Sequence, residues 1–446
     1  MNTPVYNFVK EYNDKHTVRA HMPGHKGKSP IITELSSAYA YDITEISGAD
    51  ALFEADGIIA ESEKRTAELY GINRTLYSAG GSTLCIQAML AITCKCGDTV
   101  VAARNSHRSF INTCALLGLD PVWVYPEYEN GSAVSGNISP LSIEEGIKRG
   151  LKESGHVSAI YITSPDYLGK IADVKGISEI CRKYDIPLIV DNAHGAHLAF
   201  LKENLHPSVI GADLCCDSAH KSLPVLTGGA YLHIINPKFA DKAKDCMAMF
   251  GSSSPSYLIM QSLDLCAEYL ATDFRKELDE TVKRIDTLKN HISSVYTICD
   301  SEPLRITIYT LPNGLYGYQL ADILSESNIE CEYADSTHIV MMFSTCTTAE
   351  DFEHVEKALM AEKMPKIRLL PPDISFPALT KARSVREAAF GESESIPVEK
   401  SVGRICAKTA TVCPPCIPVV VCGEIISKDC INILKNYSIS YINVLK

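Results

Sequence analysis

The sequence lacks several features that mark whole classes of protein. It has no excess of positive charge, since 42 Lys and Arg residues against 54 Asp and Glu residues give a net charge of −12. Phosphate backbones and anionic lipids are bound by concentrated positive surfaces, so nucleic acids and membranes are not expected as partners. No apolar run reaches the ~18 residues that cross a bilayer. The sequence also contains no internal repeat and no low-complexity tract.

The N-terminal segment lacks the apolar core of a signal peptide, so the cytoplasm is the expected location. Cysteine, by contrast, is abundant. The 17 cysteines are odd in number and lie mostly within apolar segments, which favours reduced, buried thiols over a disulfide framework. The chain has 446 residues, of which 46% are hydrophobic, and this length suffices for two or three packed domains.

Short apolar segments alternate with helical patterns in the middle of the chain. Nearly continuous Val, Ile, Leu and Ala content is typical of strands that are covered on both faces. Five segments have this character: 98–103, 122–127, 157–164, 187–192 and 228–235. The alternation predicts an α/β fold with a mainly parallel, doubly wound sheet, whose ligands bind beyond the carboxyl ends of the strands.

Changes of pattern divide the chain into four expected parts. These are an N-terminal segment (1–60), a large domain (61–255), a connector helix with a small α/β domain (256–365), and a proline-rich C-terminal segment (366–446).

A candidate phosphate site lies in "YSAGGSTLCIQAML" (77–90). Here a glycine turn precedes Ser82 and Thr83 at the start of an apolar helix. Amides at a helix N-terminus, with hydroxyl groups beside them, suit a phosphate. A glycine turn with a serine cap also has a purely structural role, so this motif alone is not specific.

Asp191 ends the predicted strand 187–192, and His194 and His197 follow it. The carboxylate could cap the next helix, or it could hold a protonated nitrogen heterocycle, because separating such a pair in low dielectric is costly. Zinc binding by the two histidines is a further alternative. No other His, Asp or Glu stands at a recognisable zinc spacing, so no metal is expected there.

Lys221 follows a short apolar strand in "GADLCCDSAHKS" and therefore falls at the same edge of the sheet as Asp191. A buried amine loses part of its proton affinity and becomes a nucleophile toward an aldehyde. A lone lysine in a loop usually lies in solvent, but here a phosphate site, an aspartate and a lysine follow one another. Together they predict a pyridoxal phosphate site.

Eight motifs resemble those of the ornithine/lysine/arginine decarboxylase family of fold-type-I pyridoxal phosphate enzymes, in that family's order and spacing. The motifs are HMPGHKG (21–27), DITEISGADALFEADGII (42–59), SAGGST (78–83), RNSHRS (104–109), TSPDYLG (163–169), DNAHGAH (191–197), SAHKSLPVLTGGA (218–230) and SSSPSYLIMQSLD (252–264). The resemblance implies an aminotransferase-like large domain and a smaller C-terminal α/β domain. It also implies a short form, without the N-terminal receiver-like domain of longer members.

The resemblance implies roles for individual residues. The residues at or near the cofactor phosphate would be Gly81, Ser82, Thr83, Ser218 and His220. His107 would stack on the pyridine ring, although a satisfied loop histidine is the alternative. Asp191 would pair with the ring nitrogen, His194 would lie close to the ring, and Lys221 would carry the Schiff base.

The resemblance further implies a homodimer or larger assembly with shared active sites. In that arrangement Ser253 and Ser254 of "SSSP" would approach the phosphate of the neighbouring subunit. The implied reaction is α-decarboxylation of a basic amino acid: lysine, ornithine or arginine. The expected catalytic residues are Lys221, Asp191, His107 and His194. Transamination or β-elimination on the same fold, or a non-catalytic protein, are the alternatives.

Two segments depart from the family pattern near the expected entrance. "GADALF" replaces a Gly-Leu-Asp-Asp-Leu-His-like run, and Asp166 stands where Thr or Asn is commoner, so the substrate need not be one of the usual three. Asp50 and Glu54 either attract a cationic substrate or form a solvated acidic surface.

Three C-terminal cysteines have a spacing that metal sites also use. They are Cys413, Cys416 and Cys422. The prolines around them match a metal-free family segment, so no metal is expected.

Overall fold

The computed structural model describes residues 2–28, 34–128, 135–361, 367, 369–371, 378–412 and 417–446. The chain divides into two compact units, and each is built from two stretches of sequence. The first unit comprises Met1–Thr93 and Leu188–Glu277, and the second comprises Cys94–Pro187 and Leu278–Lys446. The four-part division expected from the sequence remains a prediction.

The helices of the described residues are α1 (Pro4–Asp14), α2 (Ser36–Tyr41), α3 (Ile58–Tyr70), α4 (Gly81–Thr93), α5 (Arg108–Leu117), α6 (Pro140–Ser154), α7 (Val174–Lys183), α8 (Pro207–Ile210), α9 (Ala219–Ser222), α10 (Ala243–Ala248), α11 (Tyr257–Ala271), α12 (Phe274–Ile292), α13 (Gly317–Glu326), α14 (Ala349–Ala361), α15 (Val385–Phe390) and α16 (Lys428–Asn436).

The strands are β1 (Arg74–Ser78), β2 (Thr99–Ala103), β3 (Asp120–Val124), β4 (Glu127–Tyr128), β5 (Gly136–Asn137), β6 (Ala159–Thr163), β7 (Leu188–Asp191), β8 (Leu214–Asp217), β9 (Ala230–Ile234), β10 (Thr297–Cys299), β11 (Arg305–Tyr309), β12 (Tyr333–Ala334), β13 (His338–Met342), β14 (Ser393–Pro397), β15 (Ala410–Val412), β16 (Ile417–Val420) and β17 (Tyr441–Leu445).

The first unit contains four strands in the order β1-β9-β8-β7. β7 and β8 are parallel, whereas β9 runs antiparallel to both β8 and β1. Every residue of β7, β8 and β9 is buried, and α4 packs against this part of the sheet. Continuous burial explains why these strands read as apolar runs rather than as an alternating pattern.

The second unit contains the parallel strands β6-β2-β3, with α6 packed on β2 and β3. The five strands expected from the sequence are β2, β3, β6, β7 and β9. β3 is shifted toward the N-terminus and ends before Pro126, because proline has no N–H for the ladder. The expected α/β fold with a mainly parallel sheet is confirmed.

A second, smaller sheet follows the connector helices. The single connector helix expected at the start of the 256–365 part is instead two helices, α11 and α12, separated by Thr272 and Asp273. Beyond them, four antiparallel strands in the order β10-β11-β13-β12 carry α13 on one face. The C-terminal strand pairs β14-β17 and β15-β16 and helix α16 then contribute to an apolar cluster that also contains Tyr333 and Val340 of the small sheet.

A buried ion pair joins the two stretches of sequence that form the second unit. Arg104 donates two hydrogen bonds of 2.7 Å to Glu424 and a third, of 3.2 Å, to the carbonyl of Val419. Both charged side chains are at most 5% exposed. The guanidinium lies 4.8 Å from the centre of the Trp123 ring. Every oxygen of this buried carboxylate therefore has a charged donor.

Across the part of the chain that the structure describes, none of the helices combines the length and the apolarity of a bilayer-spanning segment.

Candidate active site

The carboxyl ends of β7 and β8 lie side by side because the two strands are parallel and in register. β7 ends at Asp191, which pairs with Cys216. β8 ends at Asp217, and the next residues are Ser218 and the short helix α9, which contains Lys221. The sequence prediction that Asp191 and Lys221 occupy one edge of the sheet agrees with this geometry.

The Asp191 side chain is buried and is fixed by two hydrogen bonds. It is only 2% exposed, and its Oδ1 accepts hydrogen bonds from the Ala193 amide at 3.1 Å and from the Cys216 thiol at 3.7 Å. Burial and the nearby carboxylate of Asp191 raise the pKa of the Cys216 thiol well above its usual range. The thiol therefore keeps its proton and acts as a donor to Asp191.

Lys221 and His194 are brought together at the same edge. The Nζ of Lys221 lies 3.0 Å from Nε2 of His194, a buried side chain on the loop after β7. An ammonium group at this distance donates to the imidazole nitrogen. Among the described residues, the group of three potential metal ligands that comes together is His206, Asp217 and His233, and it includes neither His194 nor His197.

The candidate phosphate site is a tight turn at the start of α4. Gly81 has a φ of +68°, and its amide donates to the carbonyl of Gly228 at 2.8 Å. A bound phosphate would therefore take its amides from Ser82 and Thr83, because the Gly81 amide is already used. The hydroxyls of Ser82 and Ser218 lie 2.9 Å apart, so the first turn of α4 and the end of β8 meet here.

His220 has one ring nitrogen fixed by the backbone. Its Nδ1 donates to the carbonyl of Gly229 at 2.9 Å. In this tautomer a neutral ring presents a lone pair at Nε2, so His220 can donate to a phosphate only when the ring is protonated.

His107 lies in the second unit, where it caps the N-terminus of α5. Its Nδ1 accepts from the Ser109 amide at 3.2 Å. The expected stacking of this ring on a pyridine remains a prediction. Ser253 and Ser254 lie in an exposed turn between α10 and α11, and their expected approach to a neighbouring subunit also remains a prediction.

Of the two acidic residues singled out near the expected entrance, Asp50 has hydrogen-bond partners within the fold. The Asp50 carboxylate accepts from the backbone amides of Ala51 and Asp56 and, at the start of α3, from those of Gly57, Ile59 and Ala60. Partial burial opposes ionisation, but these amides lower the pKa of Asp50. Glu54 is exposed. The carboxylate of Asp50 is thus used within the fold.

Asp166, the other departure from the family pattern, is buried. It accepts hydrogen bonds from the Ser135 hydroxyl and, at 2.9 Å, from the Lys170 amide. Burial raises the pKa of Asp166. Its carboxylate is used to hold the loop after β6. Cys413 and Cys416 lie outside the described residues.

Sequence reasoning missed a second buried cluster directly behind the first. Asp217 lies between His206 and His233, and all three side chains are fully buried. Asn192, the neighbour of Asp191, also donates to Asp217, at 2.6 Å. The available signal was the charged Asp217 itself, which ends an otherwise apolar strand immediately before the "SAHK" motif.

The fold, together with Asp191, Lys221 and the glycine turn before α4, defines a class of protein. A buried aspartate at the end of one parallel strand and a lysine just beyond its neighbour, with a glycine turn opening the adjacent helix, are the features of the fold-type-I enzymes.

Comparison with known proteins gives the family. "Orn/Lys/Arg decarboxylase, major domain" matches residues 3–311, and "Orn/Lys/Arg decarboxylase, C-terminal domain" matches residues 371–444. The chain is 30% identical to an arginine decarboxylase of Bacillus subtilis, over 97% of this chain and 93% of that protein. It is 29% identical to an arginine decarboxylase of Bacillus anthracis, over 96% and 91%.

Among solved structures, a lysine decarboxylase of Francisella novicida superposes with a TM-score of 0.84 at 16% identity, covering all of this chain and 81% of the other. The chain belongs to the Orn/Lys/Arg decarboxylase family. The resemblance drawn from the motifs is confirmed, and so is the expectation of a decarboxylase of basic amino acids.

Proposed function

We propose that this decarboxylase uses pyridoxal phosphate and that arginine is its preferred substrate. The observation that supports cofactor use most directly is the shared edge of β7 and β8, where Asp191 and the Lys221–His194 pair lie at adjacent strand ends. Arginine is favoured because the relatives from Bacillus subtilis and Bacillus anthracis, which match over more than nine tenths of their own length, are named arginine decarboxylases.

The described residues fit this cofactor. The Ser82 and Ser218 hydroxyls, with the amides of the first turn of α4, suit a phosphate. Asp191 is a buried carboxylate suited to a cationic ring nitrogen. Lys221 is a partly buried amine suited to an aldehyde. When bound, pyridoxal phosphate supplies an aldehyde for the substrate amine and a ring that takes up the electrons left by departing CO2.

Asp191 would hold a proton at the ring nitrogen. Its Oδ1 is fixed by the Ala193 amide and the Cys216 thiol, so the side chain is oriented before any ligand binds. Preorganised charge of this kind stabilises developing charge without a reorganisation cost.

His194 would move a proton to and from Lys221. The 3.0 Å contact lets the imidazole accept a proton from the ammonium group, which leaves a neutral amine able to act as a nucleophile. The same lysine would later return a proton to the substrate Cα. The proton would thereby be held between the buried His194 and the partly buried Lys221 until the substrate takes it up.

A substrate panel tests the proposed activity. Purified protein supplied with pyridoxal phosphate is expected to release CO2 and the corresponding amine fastest from arginine, more slowly from lysine and ornithine, and without forming a keto acid. Lys221→Ala should lose CO2 release. Keto-acid formation would indicate transamination instead, and activity confined to neutral or acidic amino acids would overturn the proposed substrate class.

We further propose a homodimer or larger assembly in the cytoplasm, in which Ser253 and Ser254 approach the neighbour's phosphate site. The exposure of this turn supports the proposal, because its hydroxyls are accessible to a second chain. The cationic amine product would feed polyamine biosynthesis.

A further inference from the structure

The buried cluster behind the candidate site has a specific arrangement of donors around one carboxylate. Nε2 of His206 lies 3.0 and 3.2 Å from the two oxygens of Asp217, and Nε2 of His233 lies 3.0 Å from Oδ2. Asn192 donates to Oδ1 at 2.6 Å. Three donors therefore converge on one buried anion from a loop, a strand and the end of β7.

The backbone fixes the tautomer of His206. Nδ1 of this ring lies 3.2 Å from the amide of Ser208, at the first turn of α8. An amide can only donate, so Nδ1 must be the acceptor and the ring proton must be on Nε2, pointing at Asp217. A ring nitrogen that carries a proton cannot coordinate a metal ion. The His206, Asp217 and His233 group is therefore a hydrogen-bonded cluster rather than a metal site.

The second histidine completes the same pattern. Nδ1 of His233 lies 3.0 Å from the Thr75 hydroxyl, which can donate to it, while Nε2 faces Asp217. Burial lowers the pKa of His233, which favours the neutral ring. Burial alone would raise the pKa of Asp217, but the two histidines lower it below the usual range. One carboxylate thus accepts a hydrogen bond from each of the two rings.

Asp217 is connected to both halves of the candidate site. Through Asn192 it fixes the loop that begins at Asp191 and leads to His194. Along its own backbone it precedes Ser218 and, three residues later, Lys221. The backbone N–H of Asn192 also donates to the carbonyl of Cys216 at 2.9 Å. The end of β7 is therefore joined to the end of β8 by two hydrogen bonds, one from the side chain and one from the backbone of Asn192.

We infer that Asp217 is a positioning residue that holds the Asp191–His194 loop in register with the Ser218–Lys221 segment, with His206 and His233 as the donors that fix it. The inference rests on the proposed pyridoxal phosphate chemistry and adds the residues that position the side chains of that site. Asp217 itself touches no reacting atom. Its effect is transmitted through Asn192 and through the start of α9.

The first experiment compares Asp217→Asn with Asp213→Asn. Asp213 immediately precedes the same strand and accepts hydrogen bonds from the Leu188 amide at 2.9 Å and from Asn236 at 2.7 Å, so it is a matched control at the other end of β8. Asp217→Asn is expected to lower kcat by about 10–100-fold while changing KM less than about threefold, because misaligned groups lose rate more than binding. Pyridoxal phosphate should also bind more weakly to its apoprotein, whereas Asp213→Asn should leave both values near wild type.

The second experiment keeps the inference testable if Asp217→Asn fails to fold. His233→Gln retains an N–H donor near the position of Nε2, whereas His233→Leu removes it. The glutamine variant is expected to recover most of the kcat that the leucine variant loses. Equal kcat values for the two variants, or a wild-type kcat in Asp217→Asn, would overturn the inference.

A third measurement does not depend on activity. Histidine ¹⁵N NMR of the apoprotein, with the His206 and His233 signals assigned by substitution, should show two neutral rings protonated at Nε2. Stoichiometric metal in the purified protein that is lost in Asp217→Asn would overturn the hydrogen-bonded cluster. A wild-type protein that binds no pyridoxal phosphate would instead refute the proposed function, and these NMR signals would remain interpretable.

Discussion

At the scale of single residues, Asp191 shows how the surroundings prepare a side chain for its role. Its Oδ1 accepts from both the Ala193 amide and the Cys216 thiol, so rotation about the side chain would break two hydrogen bonds at once. The thiol is a donor because burial raises its pKa well above the usual range. The carboxylate is therefore held in a single orientation.

We predict that Asp191→Asn keeps the fold but loses most of the activity. A neutral amide cannot hold a proton at a pyridine nitrogen, and losing a hydrogen bond between charged groups should weaken cofactor binding by about 1.5–3 kcal/mol. The loss in turnover should exceed this value, since the electronic effect acts on the transition state. Titration of the apoprotein with pyridoxal phosphate and measurement of kcat check the two parts. Near-normal turnover would contradict the assigned role.

At the scale of secondary-structure elements, Asp264 joins three helices of the first unit. It lies on α11, accepts from the Ser62 hydroxyl of α3 at 2.5 Å, and accepts from the amide of Tyr6 in α1 at 3.0 Å. Burial raises the pKa of Asp264 to about 6. The folded state therefore binds a proton at this site more tightly than the unfolded chain.

We predict that Asp264→Asn flattens the pH dependence of stability. A raised carboxyl pKa contributes about 1–3 kcal/mol to the free energy of unfolding. This contribution is fully present below about pH 4 and is lost as the pH rises through 6. Asparagine does not titrate, so its free energy of unfolding should change less between pH 4.5 and 7.5. Denaturation followed by circular dichroism measures this. Glu280→Gln, at an exposed position on α12, is the control and should retain the wild-type slope.

The elements also show what the sequence could and could not predict. The buried strands β2, β6 and β7 were predictable because continuous apolar runs are unambiguous in this fold. The antiparallel direction of β9 was not, because it depends on the connection 218–229, which contains a short helix instead of a full crossover.

The candidate site divides in the same way. Asp191 and Lys221 were predictable as residues that follow parallel strands. The contacts of Asp217 with His206 and His233 were not, because residues 11 and 16 positions apart in sequence meet only after the strands have formed. The hydrogen bonds from five backbone amides to Asp50 were equally unpredictable, since an acidic residue near a helix start also fits a solvated surface.

At the scale of the whole molecule, the Arg104–Glu424 pair is a buried connection between residues 320 positions apart. We predict that Arg104→Met destabilises the protein by about 3–5 kcal/mol, because it leaves a buried carboxylate without its partner. The double variant Arg104→Met/Glu424→Leu should be markedly more stable than the single variant. Thermal unfolding of the wild type, Arg104→Met, Glu424→Leu and the double variant checks this, and simple addition of the two single effects would contradict it.

A last prediction concerns the assembly. If active sites are shared, mixing inactive Lys221→Ala protein with an inactive variant carrying Ser253→Ala and Ser254→Ala should restore part of the activity, since one kind of hybrid site would be intact. Subunit exchange must be demonstrated separately, for example with differently tagged chains. Exchange without recovery would argue against sharing.

The Arg104–Glu424 pair also has a consequence for biosynthesis. A ribosome that adds about 5–20 residues per second needs roughly 16–64 s to proceed from Arg104 to Glu424. During that interval Arg104 cannot be buried as it is in the folded protein, because its partners Glu424 and Val419 have not yet been synthesised. The second unit, which consists of one early and one late stretch, therefore cannot complete its folding before Glu424 has been synthesised.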